Sequence, residues 1–244
     1  MQPSKAHEKI LLLGSRFQSE GGLDGSEHGC CDSPISKVRG LNKVKVRKCY
    51  ARGSVLFAEG QPSRGIYIVC EGKAKVSIAS SEGKTLMLGI ARPGELLGLT
   101  ATLTGQPHLA TVQALEFCRT EFVSREDLLK LLARDKRSYL SVAQCLSSEL
   151  VRLIDHTRLL FLSQSAPERL ARLLLKWCDD SGQRTSQGIR ITPGLTHEEI
   201  AQTISTSRET VTRALNMLKR KHILCAENGH LLIRNRAALI ALAN

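Results

Sequence analysis

Residues 195–213 read LTHEEIAQTISTSRETVTR and decide the architecture of the C-terminal part of the chain. Thr196 and Glu199 have the spacing of a capping box, in which two side chains satisfy free backbone N–H groups at the start of a helix. A second helix is predicted to begin after Ser207, whose hydroxyl is placed to cap it. Two short helices separated by a break at Ser205 are typical of a helix-turn-helix.

The first turns of that second helix carry side chains suited to reading base edges in the major groove of DNA. An arginine fork matches guanine O6 and N7, and a carboxylate accepts from cytosine N4. The predicted base-reading residues are Arg208, Glu209 and Arg213. The residues predicted to contact the DNA backbone or to assist are Thr196, Ser207, Thr210, Thr212, Lys219 and Lys221. Further on, Asn228-Gly229 between two apolar stretches predicts the hairpin of a winged domain.

A heptad repeat lies upstream of this motif. Apolar or small residues recur at alternating four- and three-residue steps from Tyr139 to Leu160. Such a repeat predicts a long helix that pairs with a second copy of itself along a narrow seam. The predicted seam residues are Ala143, Leu146, Leu150, Leu153, Thr157 and Leu160. A core helix of a monomer is the alternative interpretation.

Residues 54–120 have the character of β-structure. Short apolar stretches such as Ile66–Val69 alternate with turn glycines, which predicts a sandwich or jelly roll. Residues 1–36 are rich in Gly, Ser, Glu and Lys and have no pattern that would bury a face, so we expect a mobile tail there.

These patterns together predict an α+β protein of four regions. The predicted regions are a mobile N-terminal tail (1–36), a β jelly-roll domain (37–134), a dimerisation helix (135–163) and a winged helix-turn-helix domain (164–244).

The charge balance agrees with a nucleic-acid partner. The 244 residues include 35 Lys and Arg against 23 Asp and Glu, a formal net charge of +12. Such an excess favours binding to a polyanion, with nucleic acid ahead of an anionic membrane surface. No apolar stretch approaches the roughly 20 residues of a spanning helix, so we expect a cytoplasmic protein without a membrane partner.

An enzyme and a protein adaptor are the rival classes. The sequence has no Ser/His/Asp set, Gly-rich phosphate loop, paired carboxylates or His-x-Glu metal motif, so we predict that the protein is not an enzyme. An adaptor that uses only the heptad helix would differ from a DNA-binding protein by lacking salt-dependent binding to a specific duplex.

The helix-turn-helix stretch resembles the DNA-binding motif of the Crp/Fnr family of bacterial transcription regulators, and the resemblance covers about residues 40–238. The turn glycines at 60, 72, 83, 94 and 98 are similar to those of that family's sensor domain. The resemblance implies that residues 37–134 form an effector-sensing domain and that a homodimer reads an inverted repeat in double-stranded DNA, with RNA polymerase as partner. The resemblance favours an activator, and the sequence leaves activation and repression both open as the outcome. It departs from the family at Ser205, where the motif commonly has a glycine.

The resemblance also bears on the effector. Members that bind cyclic nucleotides use a Gly-Glu pair for the ribose and an Arg-Ser pair for the cyclic phosphate, whose charge requires a cationic partner. The corresponding positions here are Leu99 and His108-Leu109, and Glu95 aligns as a loop acid outside the site. We therefore expect an effector other than a cyclic nucleotide, with Leu99, Thr100, His108 and Leu109 as pocket candidates. A cyclic-nucleotide-binding regulatory subunit without DNA function is an alternative.

The cysteines raise the possibility of a metal or redox sensor. An iron–sulfur cluster needs four converging thiolates, and the candidates are Cys30, Cys31, Cys49 and Cys118, whose spacing fits the family's iron–sulfur members poorly. A redox response of the Cys30-Cys31 pair and haem ligation through His108 also stay open. No cofactor is assigned from the sequence.

Overall fold

The computed structural model describes residues 34–163, 165–227 and 229–243. The chain divides into two compact units, one ending at Ile154 and the other beginning at Asp155. The division falls inside a long helix, whereas the sequence pattern placed domain boundaries on either side of that helix.

The predicted tail lies outside the described residues up to position 33, and Cys30 and Cys31 lie there with it. The last residues assigned to the tail belong to the folded unit. A 3-10 turn spans Pro34–Lys37, and a second spans Leu41–Lys43. Ile35 is fully buried among apolar side chains, including Leu41, so the N-terminal unit extends at least to residue 34. Burying a side chain of this size stabilises a fold by about 1.5–3 kcal/mol, which ties the segment down.

Eight strands form two antiparallel sheets in the described part of the N-terminal unit. They are Val46–Tyr50 (β1), Val55–Phe57 (β2), Gly65–Glu71 (β3), Ala74–Ala79 (β4), Thr85–Ala91 (β5), Leu96–Leu97 (β6), Thr111–Ala114 (β7) and Cys118–Ser124 (β8). One sheet has the order β1-β8-β3-β6 and the other β2-β7-β4-β5. This arrangement confirms the predicted β-rich N-terminal domain.

Strand β3 contributes side chains to the apolar clusters on both faces of its sheet. Tyr67 and Val69 pack toward the second sheet, while Ile66 and Ile68 pack toward the helices on the other side. Successive side chains of a strand point to opposite faces, so a strand that is covered on both faces is apolar throughout. The sheet containing β3 is therefore the middle layer of the unit.

Three helices follow or interrupt the strands. They are Leu99–Thr104 (α1), Arg125–Arg134 (α2) and Ser138–Phe161 (α3). The last of them lies within the helix predicted over 135–163. Ser124 caps α2 by accepting from the backbone N–H of Asp127, which fixes where that helix begins.

The C-terminal unit has four helices and a small sheet in its described part. The elements are Ala166–Ser181 (α4), Gln183–Thr185 (β9), Gly188–Ile191 (β10), His197–Thr203 (α5), Arg208–Arg220 (α6), Leu224–Glu227 (β11), His230–Ile233 (β12) and Arg236–Ala243 (α7). The sheet has the order β11-β12-β10-β9, and β11 and β12 form the predicted wing hairpin. Its apolar core is built from all four helices and this sheet.

None of the described helices combines the length and the apolar character that crossing a lipid bilayer demands.

Candidate functional site

The two helices of the predicted motif form where the sequence placed them. Thr196 Oγ1 accepts from the backbone N–H of Glu199, and the Glu199 carboxylate accepts in return from the backbone N–H of Thr196 at 2.8 Å. Ser207 caps α6 by accepting from the backbone N–H of Thr210 at 3.2 Å. The capping box is therefore present as predicted, and each helix begins at a side chain that satisfies its first free donors.

Ser205 takes the role of the missing turn glycine. Its φ is 51°, in the left-handed region that non-glycine residues rarely adopt. The turn between α5 and α6 thus keeps its geometry without glycine, at a conformational cost carried by the serine.

We predict that Ser205→Val lowers the free energy of unfolding while Ser205→Gly leaves it equal or higher. A β-branched residue fits the left-handed region worst, so the two variants should differ by about 1–2 kcal/mol. Chemical denaturation followed by circular dichroism measures the difference. Equal stabilities would mean that the turn reshapes to avoid a positive φ.

Helix α6 has one buried and one exposed face. Val211, Leu215 and Leu218 are buried in the unit's core, whereas Arg208 and Arg213 are exposed. Glu209 is exposed as well. The three predicted base-reading side chains therefore share the solvent side of the helix. Such a face can enter a major groove, which admits an α-helix.

Polar contacts organise the start of α6. The hydroxyls of Ser207 and Thr210 are 3.1 Å apart, and Arg213 Nη2 donates to Thr210 Oγ1 at 3.2 Å. The backbone N–H of Glu209 and the Ser207 hydroxyl lower the pKa of the Glu209 carboxyl, with Arg208 and Arg213 acting in the same direction. Glu209 is thus a charged acceptor beside two guanidinium groups.

Thr212 and His197 connect the two helices of the motif. Thr212 Oγ1 donates to the backbone carbonyl of Arg208 at 2.9 Å and lies 3.0 Å from His197 Nδ1. His197 was not singled out by the sequence analysis, because it lies inside the capping box and has no signal of its own. Among the other predicted backbone contacts, Lys219 and Lys221 are exposed at the end of α6.

The end of α6 leads directly into the wing. His222 has a φ of 55°, and the N–H of Ile223 donates to the carbonyl of Leu218, which is how a helix commonly closes on a left-handed residue. In the wing, His230 Nδ1 lies 2.7 Å from Thr192 Oγ1. Thr192 precedes the cap of α5 by four residues, so this bond fastens the wing to the segment that enters the helix-turn-helix.

The four effector-pocket candidates do not line one surface. Leu99 is fully buried in the cluster on the helix side of the middle sheet, and Thr100 Oγ1 lies 3.4 Å from Glu149 Oε2 of α3. His108 and Leu109 adjoin the core between the two sheets. Leu99 therefore packs in a different apolar cluster from the one that His108 and Leu109 adjoin.

His108 is the residue that the sequence resemblance aligns with the phosphate-binding arginine of the family's cyclic-nucleotide binders. Its ring stacks on Phe57 with centroids 3.9 Å apart, and a Cβ at Gly98 would come within 3.1 Å of its Cε1. Burial lowers the pKa of His108 to about 4, so the imidazole is neutral near pH 7. A neutral, buried ring stacked on Phe57 offers no charge to a phosphate.

A buried polar cluster ties α3 to the N-terminal unit. Arg152 Nη1 forms an ion pair with Glu95 Oε1 at 3.0 Å, and Glu95 is 2% exposed. Glu95 lies in the loop before β6, as expected for a loop acid, but this loop buries it against Arg152 of α3. Glu149 is also 2% exposed, and burial raises its pKa to about 8, against the opposing effects of Arg152 and Thr100.

We predict that Glu149→Gln makes the protein more stable above pH 7. Because the folded-state pKa of Glu149 exceeds its ordinary value of 4.5, the unfolded chain releases its proton first, and stability falls as pH rises from about 4.5 to about 8. A permanently neutral amide avoids this loss, which we expect to reach about 1 kcal/mol or more. Denaturation at pH 5 and pH 8, at one protein concentration, measures it. An equal loss of stability between pH 5 and pH 8 in the wild type and in Glu149→Gln would contradict the prediction.

Helix α3 carries an exposed apolar strip within the N-terminal unit. Of the predicted seam residues in this unit, Ala143 and Leu150 are exposed, Leu146 is half-buried and Leu153 is buried. The remaining two, in the C-terminal unit, are an exposed Thr157 and a half-buried Leu160. We define the α3 strip by the exposed residues that follow one side of this helix: Leu140, Ala143, Leu150, Val151 and Ile154. The α3 strip shares Ala143 and Leu150 with the predicted seam but lies further around the helix axis, on the side of Val151 and Ile154.

The two candidate cluster cysteines that the structure describes face different surroundings. Cys49 on β1 is exposed, while Cys118 on β8 is buried between the sheets. In the β1–β8 register Cys118 opposes Tyr50 rather than Cys49, so the two thiols lie on opposite faces of one sheet. Burial raises the pKa of Cys118 to about 11, which disfavours the thiolate that iron requires. Within the described ranges no group of three or more His, Cys, Asp or Glu could hold a metal ion.

A β-rich N-terminal domain, a long helix and a winged helix-turn-helix define a transcription regulator of the DNA-binding class. Residues 47–135 match the family model of the cyclic nucleotide-binding domain, and residues 168–242 match the Crp-like helix-turn-helix domain. The chain belongs to the Crp/Fnr family. The resemblance found in the sequence is confirmed, and so is the assignment to transcription regulation by helix-turn-helix DNA binding.

Characterised relatives are similar over most of their length. A CRP-like cAMP-activated global transcriptional regulator of Mycobacterium tuberculosis is 28% identical over 180 residues, which cover 74% of this chain and 80% of that protein. A global nitrogen regulator of Synechocystis sp. is 27% identical over 196 residues, covering 80% and 87%. The structure of FixK2 from Bradyrhizobium japonicum has the same fold, with a TM-score of 0.71, 24% identity and coverage of 82% and 98%.

Proposed function

We propose that this chain is a homodimeric transcription regulator that reads an inverted repeat in double-stranded DNA with two copies of α6. The observation that carries the proposal is the polarity of α6. Its buried face anchors it in the core of the winged domain, while Arg208, Glu209 and Arg213 are exposed together at its N-terminal end. These are the side-chain types that recognise guanine and cytosine edges, and this is the end of the helix that enters the groove.

The α3 strip supports the homodimer. Val151 is 58% exposed and Ile154 is 43% exposed, on a helix whose opposite side is buried in its own unit. Contiguous apolar side chains at helical spacing are a costly surface for a monomer in water. A second copy of the same helix would cover the strip symmetrically, and the two-fold axis would match the symmetry of an inverted repeat.

We also propose that the effector is not a cyclic nucleotide. The support is the neutral, stacked His108 in the position where a cyclic phosphate needs a guanidinium partner, with Leu99 turned away from it. The Mycobacterium tuberculosis relative is named as cAMP-activated, so cyclic AMP is the effector to test against. RNA polymerase is the proposed partner of the DNA-bound dimer.

Selection of bound sequences from a random duplex pool tests the proposal. The purified full chain is incubated with the pool, with and without added cyclic AMP. We expect enrichment of an inverted repeat whose half-site centres lie about 34 Å apart, one turn of DNA, in both samples. No enrichment in either sample would overturn the DNA-reading function. Enrichment only with cyclic AMP would overturn the proposal about the effector while leaving the DNA-reading function intact.

A further inference from the structure

We propose that DNA binding by this protein is linked to the uptake of a proton by His197. The inference rests on the proposed DNA-reading function and adds a contact and a means of regulation to it. His197 is exposed at the start of α5, and its contacts tie it to the recognition helix.

The hydrogen-bond chain fixes which ring nitrogen carries the hydrogen. Thr212 Oγ1 lies 2.9 Å from the carbonyl oxygen of Arg208, which can only accept, so the single hydroxyl hydrogen points there. The same Oγ1 lies 3.0 Å from His197 Nδ1 and must therefore accept from it. Neutral His197 thus has its hydrogen on Nδ1, which leaves Nε2 as an unprotonated acceptor.

Protonation changes only the outward side of this ring. An added proton goes to Nε2 and turns it from an acceptor into a donor, while the Nδ1–H bond to Thr212 is kept. Phosphate oxygens accept hydrogen bonds and do not donate them. They can therefore pair with the Nε2–H of the protonated ring but not with the unprotonated Nε2 of the neutral ring. DNA that brings a phosphate to this place favours the imidazolium, and the reciprocal effect is tighter binding at lower pH.

The position of His197 suits a contact beside the recognition face. Through Thr212 the ring is attached to the backbone of Arg208, a predicted base-reading residue. The segment that precedes it is fastened to the wing through Thr192 and His230. His197 therefore joins the start of α5 to α6, five residues after the point where the chain is bonded to the wing.

His230 lacks the feature that singles out His197. The Thr192 hydroxyl shows no second hydrogen bond among the described residues, so it can donate to the His230 ring or accept from it. Proton uptake at His230 would then require the Thr192 hydroxyl to turn if it donates in the neutral form. Of these two histidines, His197 is the one whose hydrogen bond to a threonine is kept in both protonation states.

The charged groups around His197 come from both helices of the motif. On α5 these are Glu198 and Glu199, and the Glu199 carboxylate is engaged by the backbone N–H and hydroxyl of Thr196. On α6 the charged side chains of the first turns are Arg208, Glu209 and Arg213. These side chains carry three negative charges and two positive ones, and DNA binding adds the charge of the phosphate to this field.

Fluorescence anisotropy with the selected duplex, from pH 6 to pH 8 at constant ionic strength, tests the inference. We expect wild-type affinity to rise as the pH falls, by up to about 10-fold per pH unit for one linked proton. His197→Gln should bind as wild type does at pH 8 and lose the pH dependence. His197→Lys should bind tightly across the range with a flat profile, because its charge is permanent.

Two further comparisons separate this role from a general effect of histidines or of folding. His222 is an exposed histidine of the same unit with a positive φ, a backbone conformation that asparagine tolerates. His222→Asn should therefore retain the wild-type pH dependence. Thr212→Ser should retain it as well, and Thr212→Val should reduce it.

The outcomes distinguish this inference from the proposed function. A wild-type preference for the selected duplex over a scrambled one, combined with an unchanged pH dependence in His197→Gln, overturns the proton linkage alone. Persistent pH dependence in His197→Lys would do the same. Absence of any preference in the wild type overturns the DNA-reading function and the linkage with it.

Discussion

Replacing Ile154 with glutamate is expected to convert the proposed dimer into a monomer and to abolish tight operator binding. Ile154 belongs to the α3 strip, and a two-fold interface would bury two new carboxylates without partners. An uncompensated buried charge costs about 3–5 kcal/mol. Since each 1.4 kcal/mol is a factor of ten, the dimer constant should weaken by at least about 100-fold.

Analytical ultracentrifugation at micromolar concentration measures the change in mass, and anisotropy with the selected duplex measures the loss of affinity. Ala133→Glu is the matched control, because it places the same side chain at an exposed position on α2 in the same unit. That variant should remain dimeric. A dimeric Ile154→Glu protein would show that the α3 strip is not the interface, and a second surface would have to be sought.

The second large effect is expected at Arg213. Truncation of Arg213 to alanine removes a guanidinium from the exposed face of α6 together with its bond to Thr210. A bidentate contact between arginine and guanine discriminates by about 1–3 kcal/mol, which corresponds to a loss of about 5- to 150-fold in affinity for the selected duplex. Selectivity should relax at one base pair of each half-site and remain elsewhere.

Lys219→Ala provides the contrast for this prediction. Lys219 is exposed near the end of α6 and is proposed to contact phosphate, so its loss should weaken binding to all duplexes alike and reduce the salt dependence by about one charge. Competition between the selected duplex, single-base variants and random DNA separates the two behaviours. Equal losses on selected and random DNA for Arg213→Ala would assign Arg213 to the backbone rather than to a base.

The helix-turn-helix could be predicted almost completely because its determinants are local. A capping box joins residues only three positions apart, and the caps at Thr196 and Ser207 form as the sequence indicated. Even the departure at Ser205 was visible, since the turn needs one residue with positive φ and serine occupies that position. The role proposed for His197 could not be predicted from local sequence, because it depends on a hydrogen bond to Thr212, fifteen positions away.

The seam of α3 was harder to assign from the sequence. A heptad pattern identifies apolar positions but does not say which of two apolar stripes faces the protein's own core and which faces outward. Leu153 fits the repeat and is buried in its own unit. Val151 and Ile154 are not among the predicted seam residues, and both are exposed. Packing of the helix against its own unit decides the rotation, and no spacing rule contains that information.

The sequence by itself determined the order of the domains, the capped helices and the exposed basic face of α6, because these depend on neighbours within a few residues. Only the tertiary structure decided that Leu99 and His108 lie on different sides of one sheet, and that Glu95 and Glu149 are buried against Arg152. These features depend on how sheet order and layer packing arrange the chain around each residue, and local spacing does not contain that information. Burial then fixes the protonation of His108 and Glu149, since a charge loses its hydration only where the completed fold excludes water.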